Sequence, residues 1–130
     1  MGWTKVNLRE VEDSAAAHGF SDTQEARFPR KDLEAEHTGI AHLIIKPGKR
    51  QPFAHRHQEA EEIYLILSGS GTLTLDYESI AVGPMDAVRM DPNVARGLEA
   101  GADGLEVLAF GPRYEGDAEL VDDLWEGKWG

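Results

Sequence analysis

The chain has 130 residues, with 13 Lys plus Arg, 24 Asp plus Glu, five His and no Cys, and its formal net charge is −11. That length suffices for one domain with a buried core, and the absence of Cys excludes a thiolate zinc site, an iron–sulfur cluster and a cysteine nucleophile. The acidic balance argues against binding to nucleic acid or to an anionic membrane surface, because both are negatively charged.

The first 38 residues are polar, and we expect them to form an extension that packs on the rest of a single domain. Val11 to His18 contains three consecutive Ala and predicts a short helix, with Asp13 or Ser14 as its cap and Gly19 as its end. The sequence shows neither the layout of a secretory signal nor a stretch that approaches the roughly 20 apolar residues of a membrane span. We therefore expect a cytoplasmic protein.

Short strands separated by Gly and Pro turns follow from residue 39 onward. The segments that predict strands are rich in β-branched residues or alternate between apolar and polar, and they are 39–46, 54–57, 62–67, 72–77, 80–82, 87–90, 95–99 and 105–110. Turns are predicted at 68–71 and 100–104. This spacing favours an all-β sandwich or barrel. In the C-terminal segment, 112–130, apolar residues at helical spacing predict a short helix from Asp117 to Trp125.

Two histidines and one acid form the most informative pattern of the sequence. His55 and His57 are two residues apart, so on a strand both imidazoles point to the same face. Glu62 opens the next strand after a short polar turn, which would bring its carboxylate beside them. Two imidazoles and one carboxylate suit Fe(II), Mn(II), Zn(II) or Ni(II), with positions left open for water or substrate. The same spacing also fits two histidines that lie near a turn by chance.

This window resembles the first sequence motif of the cupin superfamily, G-x5-H-x-H-x3,4-E-x6-G. His55, His57 and Glu62 match the motif in register, with one extra residue before the first histidine. Glu61 fits the shorter spacing, but Glu62 is preferred because an apolar strand residue follows it directly. The resemblance implies a single-domain cupin over 39–111, a double-stranded β-helix or jelly-roll-like barrel of two antiparallel sheets. It also implies a homodimer and a site inside the barrel mouth.

The second cupin motif, G-x5-P-x-G-x2-H-x3-N, is degenerate in this chain. Arg96 stands where the last metal-binding His is expected, and a guanidinium stays protonated and cannot replace an imidazole. Three arrangements follow. Arg96 anchors an anionic substrate beside a metal that His55, His57 and Glu62 hold; it pairs with Glu62 in place of a metal; or it points away and nothing binds.

Two further residues are candidates for substrate binding. Tyr64 shares a strand face with Glu62 and could line a pocket, although packing in the core explains it equally well. His42 lies on the strand before the motif and could replace the lost ligand or act as an acid or base near neutral pH. Lys46 shares the strand face of His42 and favours an outward orientation.

Together these patterns predict a small-molecule-binding cupin, in particular a mononuclear metal-dependent oxygenase or isomerase that acts on a small acidic compound. The alternative is a non-catalytic ligand-binding or sensing cupin without metal, in which Arg96 pairs with Glu62 or with an anionic ligand. A third interpretation is a structural dimer with a vestigial site. The fold alone does not choose among them, because cupins host many functions.

Overall fold

The computed structural model describes residues 2–122 and 124–126 of the chain. These residues form eight strands, which are β1 Gln24–Arg27, β2 Thr38–Ile45, β3 Ala54–His57, β4 Glu62–Leu75, β5 Glu78–Val82, β6 Ala87–Met90, β7 Arg96–Pro112 and β8 Ala118–Val121. They also form one short helix, α1 Ser14–Ala17, and two 3-10 helices, Leu8–Glu10 and Leu124–Glu126. None of the helices in these ranges is long and apolar enough to cross a membrane.

The long strands β4 and β7 hold the sheet together. They pair with each other in antiparallel fashion along most of their length. Strand β7 also pairs with β2 and β3, and β4 also pairs with β5 and β6. Strands β1 and β8 lie at the two ends of the order β1-β2-β7-β3-β8. Because β4 and β7 pair with each other and with the remaining inner strands, the two expected antiparallel sheets are joined into one curled sheet. The predicted all-β fold is confirmed.

Two predicted turns are instead irregularities inside the long strands. The segments 68–71 and 100–104 lie within β4 and β7, so both turn predictions are wrong. Gly69 has φ of 80°, and the register between the two strands shifts on either side of it. A Cβ on Gly69 would collide with the backbone of Gly104. These glycines therefore allow a bulge and a close approach of two strands.

The inner face of the sheet forms the core. Tyr64 and Ile66 of β4 are 1% and 0% exposed, whereas Ile63 and Leu65 between and beside them are half-buried. This alternation is the one predicted for the strand that Glu62 opens. The main cluster also includes Leu43, Ile45, Leu73, Leu98, Leu105 and Val107. A smaller cluster contains Ala54, Ala95, Val121 and Leu124, with Trp125 packed against it.

The N-terminal extension is tied to the sheet through Asp13. Its carboxylate accepts hydrogen bonds from the backbone N–H groups of Ala15, at 3.0 Å, and Ala26, at 2.9 Å. The first bond caps α1, as predicted, and the second fixes the helix to β1. Gly19, with φ of 83°, follows the helix and allows the chain to turn toward β1.

The helix predicted over 117–125 is wrong. Residues Ala118–Val121 form β8, which pairs with β3, and Leu124–Glu126 form a 3-10 helix. The spacing of the apolar residues is compatible with a helix or a strand. Residues 118–121 form a strand because they pair with the open edge of β3. Residues 123 and 127–130 of the predicted C-terminal segment lie outside the described residues.

Candidate metal centre and ligand cavity

Strand β3 and the start of β4 bring the three predicted metal ligands together. His55 and His57 lie on one face of β3, which is held between β8 and the first residue of β7. A four-residue polar turn then leads to Glu62, whose strand pairs with β6. The side chains of all three residues are largely buried, with exposed fractions of 21%, 15% and 17% for His55, His57 and Glu62.

The three side chains converge on one point. Nε2 of His55 and Nε2 of His57 each lie 3.5 Å from Oε1 of Glu62. One ligand atom from each residue lies within 4.8 Å of the other two. The imidazole rings meet edge to face, with centroids 5.0 Å apart. Sequence reasoning therefore identified a group of side chains that the fold does assemble.

Asp117 orients His57, a role that no pattern in the sequence indicates. Its Oδ2 lies 3.0 Å from Nδ1 of His57, so Nδ1–H donates to the carboxylate, and in the neutral ring Nε2 carries the lone pair. The same carboxylate accepts the backbone N–H groups of Glu59, at 2.8 Å, and Ala60, at 3.1 Å. Asp117 thus fixes both the ring and the turn that leads to Glu62. Sixty residues separate it from His57, and only the pairing of β3 with β8 brings the two together.

Arg96 is enclosed by backbone carbonyls and Glu62. Its Nη1 donates to Oε1 of Glu62 at 2.9 Å. Its Nε donates to the carbonyl of Val94, and its Nη2 donates to the carbonyls of Asp91, Pro92 and Val94, at distances between 2.7 and 3.0 Å. The degenerate second motif therefore folds around the guanidinium. Arg96 therefore contacts Glu62, as one of the three predicted arrangements requires.

The expectation that Arg96 contacts a ligand is corrected by its burial. The residue is 0% exposed and is absent from the cavity wall. A guanidinium in this position acts on the site through Glu62. Four of its hydrogen bonds fix it to backbone carbonyls, and the fifth holds the Glu62 carboxylate, whose charge the guanidinium balances.

The charged side chains of the site shift one another's pKa values. Burial on its own raises the pKa of Glu62, but the adjacent imidazoles of His55 and His57 and the charge of Arg96 together hold that pKa far below its usual range. The carboxylate is therefore ionised at any physiological pH. The Glu62 carboxylate, with Oε1 3.5 Å from Nε2 of His57, raises the pKa of His57 above the usual 6.5, against the opposing effects of burial and Arg96.

A cavity of about 680 Å³ opens in front of this group. His55, His57 and Glu62 form part of its wall. The rest is largely apolar and includes the aromatic residues Phe20, Phe28, Phe53, Tyr64, Phe110 and Tyr114. Phe20 and Phe53 meet edge to face, with ring centroids 5.9 Å apart. An apolar cavity with a few convergent polar groups is the usual form of a small-molecule site.

The two other predicted substrate-binding residues lie in different places. Tyr64 lines the cavity and is 1% exposed. Burial, with the charge of Glu62 added to it, raises the pKa of its hydroxyl well above the usual value, so the group stays neutral. His42 is on the opposite face of β2 and is absent from the cavity wall. Its Nε2 lies 2.7 Å from Oε2 of Glu106, so the expectation that it contacts the ligand is corrected.

The donor set fits a divalent transition metal. Ligand atoms about 2.1 Å from a tetrahedral metal lie about 3.4 Å apart, and the two Nε2–Oε1 separations are 3.5 Å. Nε2 of His57 is buried and has no hydrogen-bond partner within the described residues. A carboxylate oxygen has two lone pairs, so Oε1 of Glu62 can accept from Arg96 and still face a metal. His55, His57 and Glu62 would hold the ion, with Asp117 behind His57.

Comparison with known proteins agrees with the fold. Residues 41–110 match the family model described as "Cupin domain". An uncharacterized protein of Methanocaldococcus jannaschii, MJ1618, is 31% identical over 86 residues, which is 64% of this chain and 68% of that protein.

Solved structures are similar over most of the chain. A cupin protein from Bacteroides fragilis, BF4112, superposes with a TM-score of 0.70 and 23% identity over 89% of this chain and 88% of that one. A putative sugar phosphate isomerase from Acidithiobacillus ferrooxidans gives a TM-score of 0.64 and 25% identity over 82% of this chain and 74% of that one. With the family model matching more than half of its residues, this chain belongs to the cupin family.

Proposed function

We propose that this cupin binds one divalent transition metal at His55, His57 and Glu62 and acts on a small acidic compound in the adjoining cavity. The proposal rests on the hydrogen-bond partners of the two ring nitrogens of His57. Asp117 holds its Nδ1, while its buried Nε2 points toward Glu62 with no hydrogen-bond partner in the described part of the chain. Carboxylate–histidine pairs of this kind orient metal ligands and fix their tautomer.

Arg96 supports this assignment as a positioning residue. Its hydrogen bond to Oε1 holds the Glu62 carboxylate, as outer hydrogen bonds commonly do for ligating carboxylates. With three protein ligands and no fourth imidazole, the centre would leave at least one coordination position free. Open positions of this kind suit a site where substrate or water must reach the metal.

The acidic group of the substrate would be held at the cavity wall by Arg30 and Arg113. Both line the cavity, and neither forms an ion pair with a carboxylate of the described residues. In a chain of net charge −11 this is uncommon: five of the eight arginines pair with a described Asp or Glu, namely Arg27, Arg50, Arg56, Arg89 and Arg96. A guanidinium binds a carboxylate through two parallel hydrogen bonds.

The arrangement suits an oxygenase or an isomerase. A divalent metal bound here would act as a Lewis acid toward a substrate oxygen. The aromatic wall excludes water from the apolar body of the substrate, and His55 lies beside the centre with its Nε2 facing inward. The similarity to a putative sugar phosphate isomerase supports the isomerase alternative.

Metal content per chain, measured by mass spectrometry, tests the metal centre. The protein is purified without a tag or chelator, then incubated with Fe(II), Mn(II), Zn(II) or Ni(II) and desalted. We expect near-stoichiometric binding of one of these ions, and its loss in His57→Ala and Glu62→Gln. The matched controls are His37→Ala, at an exposed histidine, and Glu61→Gln, at the neighbouring acid. If wild type binds none of the four ions, the metal centre is refuted.

A second candidate is a metal-free ligand-binding cupin, and the Arg96–Glu62 ion pair favours it. In that case a protonated His57 and Arg96 neutralise Glu62 and Asp117, and no ion is needed to balance the buried charge. This function predicts that an acidic ligand raises the unfolding temperature of the protein in the presence of a chelator. The metal centre predicts that the largest increase comes from the metal itself.

A further inference from the structure

The hydroxyl of Tyr64 is a buried polar group that the metal centre does not use. Tyr64 is 1% exposed, and its Oη has no hydrogen-bond partner in residues 2–122 and 124–126. It lies in the wall of the 680 Å³ cavity, on the same strand face as Glu62 and two residues beyond it. A buried hydroxyl normally has a partner, because leaving it without one is costly.

The cavity contains more such atoms than the rest of the described structure. Five buried side-chain atoms of the described residues lack a partner, and three of them belong to residues of this one wall: Oη of Tyr64, Oε1 of Gln24 and Nε2 of His57. Gln24 is 7% exposed and lies on β1, in the wall of the same cavity. The proposed metal would be the partner of Nε2 of His57. Oη of Tyr64 and Oε1 of Gln24 then remain as the atoms to which an organic ligand would hydrogen-bond.

From this we propose that Tyr64 donates a hydrogen bond to a carbonyl oxygen on the apolar body of the substrate. The inference deepens the proposed function, because it defines the ligand of the same cavity as an oxo acid with an aromatic or similarly apolar body. The aromatic wall contacts that body, the arginines bind the acid, and Tyr64 recognises the oxygen. Gln24 offers a second polar contact for a hydroxyl or a further oxygen.

A pair of acids that differ in one oxygen tests the proposal. The probes are 4-oxo-4-phenylbutanoate and 4-phenylbutanoate, which share the carboxylate, the chain length and the ring. Their dissociation constants are measured by isothermal titration calorimetry on the full chain as purified, with metal content determined on the same sample. We expect wild type to prefer the oxo acid by about tenfold, the usual size of one hydrogen bond to a buried donor.

Tyr64→Phe should abolish this preference and bring the ratio of the two constants close to one. Tyr77→Phe is the matched control, because Tyr77 is 80% exposed in the turn that follows the same strand. Urea unfolding checks the fold of each variant, and Tyr64→Phe is expected to unfold at the same concentration as wild type or at a higher one, since its hydroxyl has no partner to lose among the described residues.

Three outcomes would overturn the proposal. The ratio could be equal in wild type and Tyr64→Phe, neither acid could bind to wild type, or the preference could vanish when wild type is treated with EDTA. The last outcome would assign the oxygen to the metal instead of Tyr64. Because the ratio is compared with and without metal, a failure of the metal centre leaves the Tyr64 result readable by itself.

Discussion

Replacing Arg96 by Met should strongly destabilise the protein. The guanidinium is 0% exposed and its Nη1 lies 2.9 Å from Oε1 of Glu62. At an effective dielectric constant of about 20, Coulomb's law gives about 6 kcal/mol for charges at this separation. Part of this energy offsets the cost of burying both charges, and removing one partner of a buried pair costs about 3–5 kcal/mol. We expect a loss of that size in the free energy of unfolding.

Urea unfolding followed by tryptophan fluorescence, in the presence of EDTA, measures this loss. Arg89→Met is the matched control, because Arg89 pairs with Glu61 and Asp91 at the surface and is 56% exposed; we expect a small effect there. The double variant Arg96→Met with Glu62→Gln should be more stable than Arg96→Met, since no buried carboxylate is left alone. The reasoning is refuted if Arg96→Met and Arg89→Met unfold at the same urea concentration.

Four further predictions concern the surroundings of the site. Asp117→Asn should weaken metal binding about 10–100-fold in a competition assay, whereas Glu119→Gln, on the adjoining strand, should leave it unchanged. Since a metal binds only the neutral ring, its affinity should increase as the pH rises through the raised pKa of His57, above 6.5; an affinity that is constant over that range would contradict this. In the metal-free protein the free energy of unfolding should instead decrease as the pH rises. The ionised ring of His57 stabilises the fold fully below pH 6.5, and calorimetry should show this stability lost as the pH rises through the raised pKa. His42→Ala should leave metal content unchanged but lower the free energy of unfolding by about 1 kcal/mol or more, because it removes the hydrogen bond to Glu106; loss of metal in this variant would place His42 in the site after all.

The sequence predicted strand segments between residues 39 and 110 and the three candidate ligands, because both depend on short-range patterns, but it did not predict β1 or β8. The alternation around Tyr64 and Ile66 and the two-residue spacing of the histidines are properties of single strands. The irregularities of β4 and β7 could not be predicted in this way. Gly69 has the local signature of a turn, and its function as a bulge depends on Gly104, which faces it from another strand.

The parts of the site that the sequence missed depend on strand pairing and on the path of the backbone. Asp117 appears beside His57 only because β8 pairs with β3, and that pairing replaced the predicted helix. Arg96 could be identified as a departure from the family motif, and a pair with Glu62 was one of its predicted arrangements, but its backbone partners could not be predicted. The carbonyls of the preceding loop converge on the guanidinium in the folded chain, and no side-chain pattern encodes their direction.

The central position of β7 has a consequence for synthesis of the chain on the ribosome. Strands β2, β3 and β4 all pair with β7, which begins only at Arg96. Until that segment emerges, the nascent chain can form the β1–β2 pair and the pairs of β4 with β5 and β6, and it exposes unpaired edges beside apolar faces. We therefore expect stop codons or ribosome stalling before residue 96 to yield aggregating fragments, and complete chains to fold late and in one cooperative step.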